Sequence, residues 1–370
     1  MKTLIILLTI FTLELFTQGT PEHILRVYPN WITNFDKRTV ELTELIPGGP
    51  PKDGIPAIIN PKFESIESAS DWIADREPVI ALEINGQSKA YPLQILIFHE
   101  IVNDEITDVN VLVSFCPLCY SAIIFDRNIN GEVYRFGVSG LLRYSDMIMY
   151  DQKTESFWEQ FTGDAIVGEM TGTSLTKIPS QIISFQQYKT IYPDGLVLSK
   201  NTGFNRPYGK NPYVGYDDVS KTPFAFLGEF DERLRPNEKV VAVKINNNYK
   251  AYPYEITWSQ RVINDSFEGE DIVVFHVNGA ASSLDHRELS SSKEMGSTGV
   301  FSRKVDDYKL SFRIEDRKRI FDNQTNSEWD ISGRAINGEL QGKILRRLFH
   351  GDYFSFALLA FRPDTEIYIE

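Results

Sequence analysis

Four segments of this chain occur twice, in the same order. Lys244-Ile-Asn-Asn-Asn-Tyr-Lys-Ala-Tyr-Pro253 echoes Glu83-Ile-Asn-Gly-Gln-Ser-Lys-Ala-Tyr-Pro92, and Val262-Ile-Asn-Asp265 echoes Ile101-Val-Asn-Asp104. Thr325-Asn-Ser-Glu-Trp329 echoes Thr154-Glu-Ser-Phe-Trp158, and Gly333–Gly342 echoes Gly163–Gly172. A repeat of this kind constrains the fold more than any composition does, because both copies must bury the same apolar faces. The repeated segments read as strands and turns. The spacing therefore predicts a mainly β (α+β) protein of two duplicated β-rich lobes, residues 63–180 and 237–370, with short helices. Between them, residues 181–236 carry many aromatics, prolines and glycines, as in Asn205-Arg-Pro-Tyr-Gly-Lys-Asn-Pro-Tyr213. So many aromatic rings are costly in water, which predicts an ordered connector wrapping the lobes. Residues 20–62 cluster prolines and glycines at 47–51 and 53–56, the pattern of an N-terminal arm laid over the first lobe.

Local patterns fill in the first lobe. Ser65 or Ser68 can cap a short helix over Glu67–Ala74. Val79–Ile84 and Ser88–Tyr91 flank Asn85-Gly86, a hairpin signature. Pro92 starts a short helix through Leu96 into His99, and Asn103-Asp104 is expected to end it. Strands at Asn110–Phe115 and Ala122–Phe125 flank Cys116-Pro-Leu-Cys119. After the Asn130-Gly131 turn come a strand at Val133–Val138, a loop at Ser139–Arg143 and a strand at Met147–Tyr150. Trp158 and Trp329 occupy equivalent repeat positions and are expected in the core.

The net charge of −13 and pI near 5.0 argue against nucleic acid and anionic membranes as partners. Lys2 followed by the apolar run Leu4–Phe16 and Thr17-Gln18-Gly19 reads as a signal peptide over residues 1–19. That run is too short to span a bilayer, and no later segment is apolar enough to do so, so no transmembrane span is expected in the mature chain. The mature protein is expected to be exported, periplasmic or extracellular, where thiols meet an oxidising environment.

The repeat is most informative where it fails. Both cysteines, Cys116 and Cys119, lie in the first lobe. The corresponding stretch of the second lobe is approximately Phe275-His-Val-Asn278, and Gln260 stands opposite His99. The shared scaffold needs neither the thiols nor that histidine. A disulfide across so short a loop would remove only roughly 2 kcal/mol of unfolded-chain entropy, against nearly 5 for a loop of about a hundred residues. The Cys-Pro-x-Cys form resembles dithiol oxidoreductases, yet a strand follows Cys119, so no helix dipole lowers the pKa of Cys116. At a strand turn the same spacing also presents two sulfurs to one metal ion. Of the five histidines only His99 belongs to the first lobe, which makes Cys116, Cys119 and His99 a candidate ligand set for copper or zinc with one position open.

Three functions follow. The first is a thiol redox protein, a possible oxidoreductase in which Cys116 reacts and Cys119 resolves. The second is metal binding through Cys116, Cys119 and His99. The third is a non-catalytic extracellular binding protein with a structural disulfide. A redox or metal-exchange protein would be the partner of either of the first two. Glu100, Asp104, Arg127, Ser139, Arg143 and Asp146 are the polar groups that would support such a site; an ion-pair network at strand ends is their ordinary alternative. No phosphate-binding loop, nucleophile elbow or His-Glu-x-x-His motif is present.

Phe115-Cys-Pro-Leu-Cys-Tyr-Ser-Ala-Ile-Ile-Phe-Asp-Arg127, Phe136–Arg143, Met149–Asp151, Thr154–Ser156, Gly163–Gly168, His99–Asp104 and Pro212-Tyr-Val-Gly-Tyr216 together resemble the domain-of-unknown-function family 3179. Some members of that family carry selenocysteine in the cysteine motif. The resemblance implies a redox or soft-metal role for Cys116 and Cys119, since selenium offers little to a purely structural site.

Overall fold

The computed structural model describes residues 22–27 and 29–370. The expected signal peptide at 1–19 lies outside the described residues. Strands dominate, joined by tight turns and a few one- or two-turn helices.

In the first lobe Pro78–Ile84 and Gln87–Pro92 pair antiparallel around Asn85-Gly86, both at positive φ, as a type I′ turn requires. Gln181–Ser184 adds to the outer edge of Pro78–Ile84, and Leu196–Leu198 runs parallel to Gln87–Pro92. The early part of the 181–236 stretch thus completes this sheet, and turns and bends carry the rest. The second lobe builds the same order: His350–Phe354, Lys239–Ile245, Asn248–Pro253, then Glu366–Ile367 in parallel.

Buried polar anchors recur with the strands. Tyr91 donates to Asp104 Oδ2 at 2.7 Å, and Lys89 Nζ lies 2.8 Å from the same oxygen. In the second lobe Tyr252 and Lys250 meet Asp265 at 2.8 and 2.9 Å. Asn103 bonds both backbone groups of Phe136, and Asn264 both of Phe312. The Trp158 indole donates to Asp151 and the Trp329 indole to Asp322, each at 3.0 Å. A buried polar group left alone is expensive, so each anchor fixes one register of its strands.

Four local expectations change. The helix Leu93–His99 ends at Glu100, not at Asn103-Asp104; Glu100 adopts φ 56°, and Ile101–Ile106 is a strand whose Asn103 side chain braces Phe136. The early helix is only Ile66–Ala69, with Ser65 Oγ accepting from Ser68 N–H. Ser139–Arg143 is no loop. Phe136–Arg143 is one strand, bulged between Val138 and Leu142, where Ser139 Oγ bonds Ile148 O and Leu141 N–H and so keeps the bulge in the ladder. The register also moves the counterpart of the cysteines. Ile101 pairs Ser114 and Val262 pairs Phe275, which sets Cys116 opposite Val277.

The arm is pinned by backbone bonds. Ile46–Pro47 joins the sheet beside Leu141 and Leu142, and Ile58 bridges Ile101 and Asn103. One hydrophobic core runs across both lobes, from Ile95, Val113, Cys116 and Cys119 to Val240, Phe354, Phe356 and Phe361. A second links Phe185 and Ile183 to Phe275 and Phe301.

Asp151 and Asp322 test the twin anchors. Asp151→Ala or Asp322→Ala strands a buried indole N–H and its turn, and each is expected to lower stability by at least about 2 kcal/mol in urea unfolding.

Candidate metal centre

The strand Val109–Cys116 lies between Ile101–Ile106 and Ser121–Asp126, and from Val111 onward every residue is buried. Cys116 pairs with Ser121, so residues 117–120 must reverse the chain. Pro117 donates no hydrogen bond; Cys119 N–H reaches Cys116 O and Tyr120 N–H reaches Pro117 O, each at 3.3 Å, with Tyr120 at φ 53°. Gln160 locks the base of the turn by donating to Ser114 Oγ at 2.9 Å and accepting from Ser121 Oγ at 2.7 Å. Both cysteines are free thiols, 1 % and 0 % exposed.

A second hairpin brings a carboxylate. Phe136–Arg143 turns into Asp146–Asp151 through Tyr144 and Ser145, both at positive φ with no glycine to ease it. Such residues store roughly 1–3 kcal/mol of strain each, and surrounding contacts hold them there. Arg143 bonds Glu44 at 2.8–2.9 Å and Glu159 at 2.6 Å, while Ser145 Oγ donates to Phe224 O at 2.5 Å. Ser145 O lies 3.9 Å from Cys116 Sγ. The turn delivers Asp146, whose Oδ2 accepts from Phe161 N–H at 2.9 Å and whose buried Oδ1 has no hydrogen-bond partner among the described residues.

Cys116 Sγ, Cys119 Sγ and a carboxylate oxygen of Asp146 all lie within 4.8 Å of one another. Burial pushes all three pKa values up, those of Cys119 and Asp146 strongly, and the nearby carboxylate of Asp146 raises both thiols further. Near neutral pH the two thiols therefore keep their protons. Thiolates here would need a compensating cation.

His99 stands apart from this cluster. Its Nδ1 lies 2.7 Å from Pro56 O and its Nε2 2.7 Å from the Tyr208 hydroxyl, so both ring nitrogens are engaged. Where a ligand set of two sulfurs and His99 was expected, the residue grouped with the two sulfurs is Asp146. The physical reason is the hairpin, which brings Asp146 to the sulfurs from thirty residues down the chain. Asp104 belongs to the Lys89–Tyr91 anchor; Arg127 binds the carbonyls of Asp104 and Tyr134; Ser139 shapes the bulge; Arg143 holds the turn.

The second lobe lacks the whole set. Val277 replaces Cys116, and the chain then makes the excursion 278–296 before pairing resumes at Ser297. Counting back from the matched Trp158–Met149 and Trp329–Ile320 pairs, Asp146 corresponds to Arg317. Sulfurs and carboxylate are absent together, as expected of groups that share a task.

Beside the turn lies a cavity of about 330 Å³, walled by Leu118, Met147, Tyr213, Tyr216, Phe224 and aliphatic side chains, with Glu100 the one carboxyl among its lining residues. Glu100 is 6 % exposed, and no hydrogen bond or ion pair from the described residues reaches its carboxyl. Burial alone pushes its pKa to about 8. Tyr213 and Tyr216 had shown only as aromatics of the connector; their signal in the sequence was the Pro212–Tyr216 match alone.

Glu100 gives a pH prediction. Its folded pKa lies above its unfolded one, so it stays protonated in the fold while the unfolded chain ionises above about pH 4.5. Native stability is therefore lost as pH rises from about 4.5 to about 8. Glu100→Gln does not titrate, and its stability relative to the wild type is expected to climb across that window by on the order of 4 kcal/mol, read from urea unfolding at each pH.

No curated protein and no solved structure matches the chain. The family model described as "Protein of unknown function (DUF3179)" matches residues 52–365, a span that holds the cysteine turn, the Asp146 hairpin, the connector and nearly all of the second lobe, and the chain belongs to that family.

Proposed function

We propose that this protein is an exported metal-binding protein that holds one copper or zinc ion through Cys116, Cys119 and Asp146. The observation that carries the reading is the buried Asp146 carboxyl clustered with two free thiols, one of its oxygens accepting no hydrogen bond among the described residues. A buried acceptor left unbonded is costly, and a cation shared with the sulfurs removes that cost. Zinc–sulfur bonds of about 2.3 Å and zinc–oxygen bonds of about 2.0–2.2 Å place donors on one tetrahedral ion roughly 3.5 Å apart. The spacing within the cluster is near enough for side-chain rotation to reach this. Three protein ligands leave a fourth position for water or a small ligand. Two sulfurs favour copper(I) or zinc over magnesium or calcium.

The protonated thiols of the free cluster mean that metal uptake releases protons, so acid disfavours binding. Metal ligation would also keep the thiols from oxidising in an exported compartment, the location supported by Lys2 and the apolar run that follows it. Among the described residues no helix is long and apolar enough to cross a membrane. A dithiol redox couple is the weaker reading. Attack requires an accessible thiolate, whereas both sulfurs are buried with raised pKa values and have no helix N-terminus behind them.

Protein purified under reducing conditions is expected to take up one equivalent of zinc(II) or copper(I). Cys116→Ser, Cys119→Ser and Asp146→Asn should each weaken uptake by more than the 10- to 100-fold typical of groups that only support metal ligands. His99→Ala should leave the stoichiometry unchanged. Elemental analysis and competition titration decide this: less than about a tenth of an equivalent in the wild type, with no uptake on titration, removes the reading.

A further inference from the structure

The cavity beside the cysteine turn contains a buried carboxyl that no hydrogen bond or ion pair from the described residues reaches. We infer that this cavity binds a small organic cation, an ammonium group on an apolar body, with Glu100 as its counter-ion.

The volume, about 330 Å³, lies at the lower end of the range that holds small molecules. Leu118, Leu141, Leu142, Val138 and Met147 supply apolar wall, which suits an uncharged body. Tyr213, Tyr216 and Phe224 add three aromatic rings, the surface over which a desolvated cation is stabilised. Phe224 is 51 % exposed and stands at the solvent side, its N–H bonded to the Tyr216 hydroxyl at 3.1 Å.

Glu100 is not there for the fold. The same backbone position in the second lobe, also at positive φ, is Arg261, whose guanidinium stacks 3.8 Å from the Trp258 ring. The first lobe instead places an acid at this helix end, and no described residue gives its carboxyl a hydrogen bond or ion pair. An ionised carboxylate in an apolar wall is unfavourable, so Glu100 keeps its proton while the cavity is empty; a cationic ligand favours release of that proton to solvent and forms a desolvated ion pair with the carboxylate, closed in by aromatic rings. The net charge of −13 raises the local concentration of cations at the protein surface. The inference goes beyond the metal reading, because the cysteines do not line this cavity and the ligand needs no metal.

Choline and its uncharged isostere 3,3-dimethylbutan-1-ol have nearly the same shape and separate charge from size. In calorimetric titration of the full chain, choline is expected to bind at least 10-fold more tightly than the isostere, and Glu100→Gln is expected to abolish that preference while the cavity still admits both. The wild-type comparison stands whether or not the variant folds. A smaller preference, no choline binding up to 10 mM, or an undiminished preference in a folded Glu100→Gln protein overturns the inference. None of these readings depends on metal uptake, so failure here and failure of the metal site are told apart.

Discussion

The cysteine turn is sealed by the other lobe. Cys119 O accepts the N–H of Phe354 at 3.0 Å, and Tyr120 packs on the Phe354 ring at 5.8 Å. Lys239 Nζ, buried and without a hydrogen-bond partner among the described residues, sits 3.2 Å from the centre of the Tyr120 ring, and burial pulls its pKa down to about 7. These contacts exclude water from the sulfurs. Desolvation in turn raises the thiol and carboxyl pKa values and decides which chemistry the cluster favours. Lobe docking and site electrostatics are thus one constraint.

Duplication explains how a site can be added without cost to the scaffold. Each lobe keeps its Lys–Tyr–Asp anchor, its Asn brace and its Trp–Asp bond, which hold the strands in register. Between those fixed points the turns are free to differ. The first lobe uses one turn for sulfur and another for carboxylate. The second lobe opens the equivalent turn into the excursion 278–296, whose carbonyls at Leu284 and Asp285 accept from Tyr216 and Gly215. That excursion holds the connector in place, and the connector brings Tyr213 and Tyr216 to the cavity of the first lobe. The lobe without the site therefore helps to build it.

Much of the fold was legible because it is written in local periodicity and in the repeat. The Asn85-Gly86 hairpin, the apolar strands around the cysteines and the doubled segments all report on neighbours in sequence. The errors fell where a tertiary bond overrides a local signal. Ser139-Gly140 looks like a loop, yet Ser139 Oγ bridges two strands and holds a bulge in the ladder. Tyr144-Ser145 contains neither asparagine nor glycine, so nothing in it announces a type I′ turn. Asn103-Asp104 looks like a helix stop, although both side chains are spent on strand anchors.

The sequence by itself determined the duplicated β architecture, the family, and the placement of both sulfurs in one lobe, because each is carried by residue pattern. Only the tertiary structure decided the company those sulfurs keep. His99 is close in sequence and looked a natural ligand, but its ring is tied to Pro56 and Tyr208. Asp146 looked like one strand-end charge among several, and a strained hairpin sets it against the thiols with one oxygen unbonded by any described residue. Such a choice depends on where separate turns meet in space and on how deeply the second lobe buries them, and neither is encoded in local pattern.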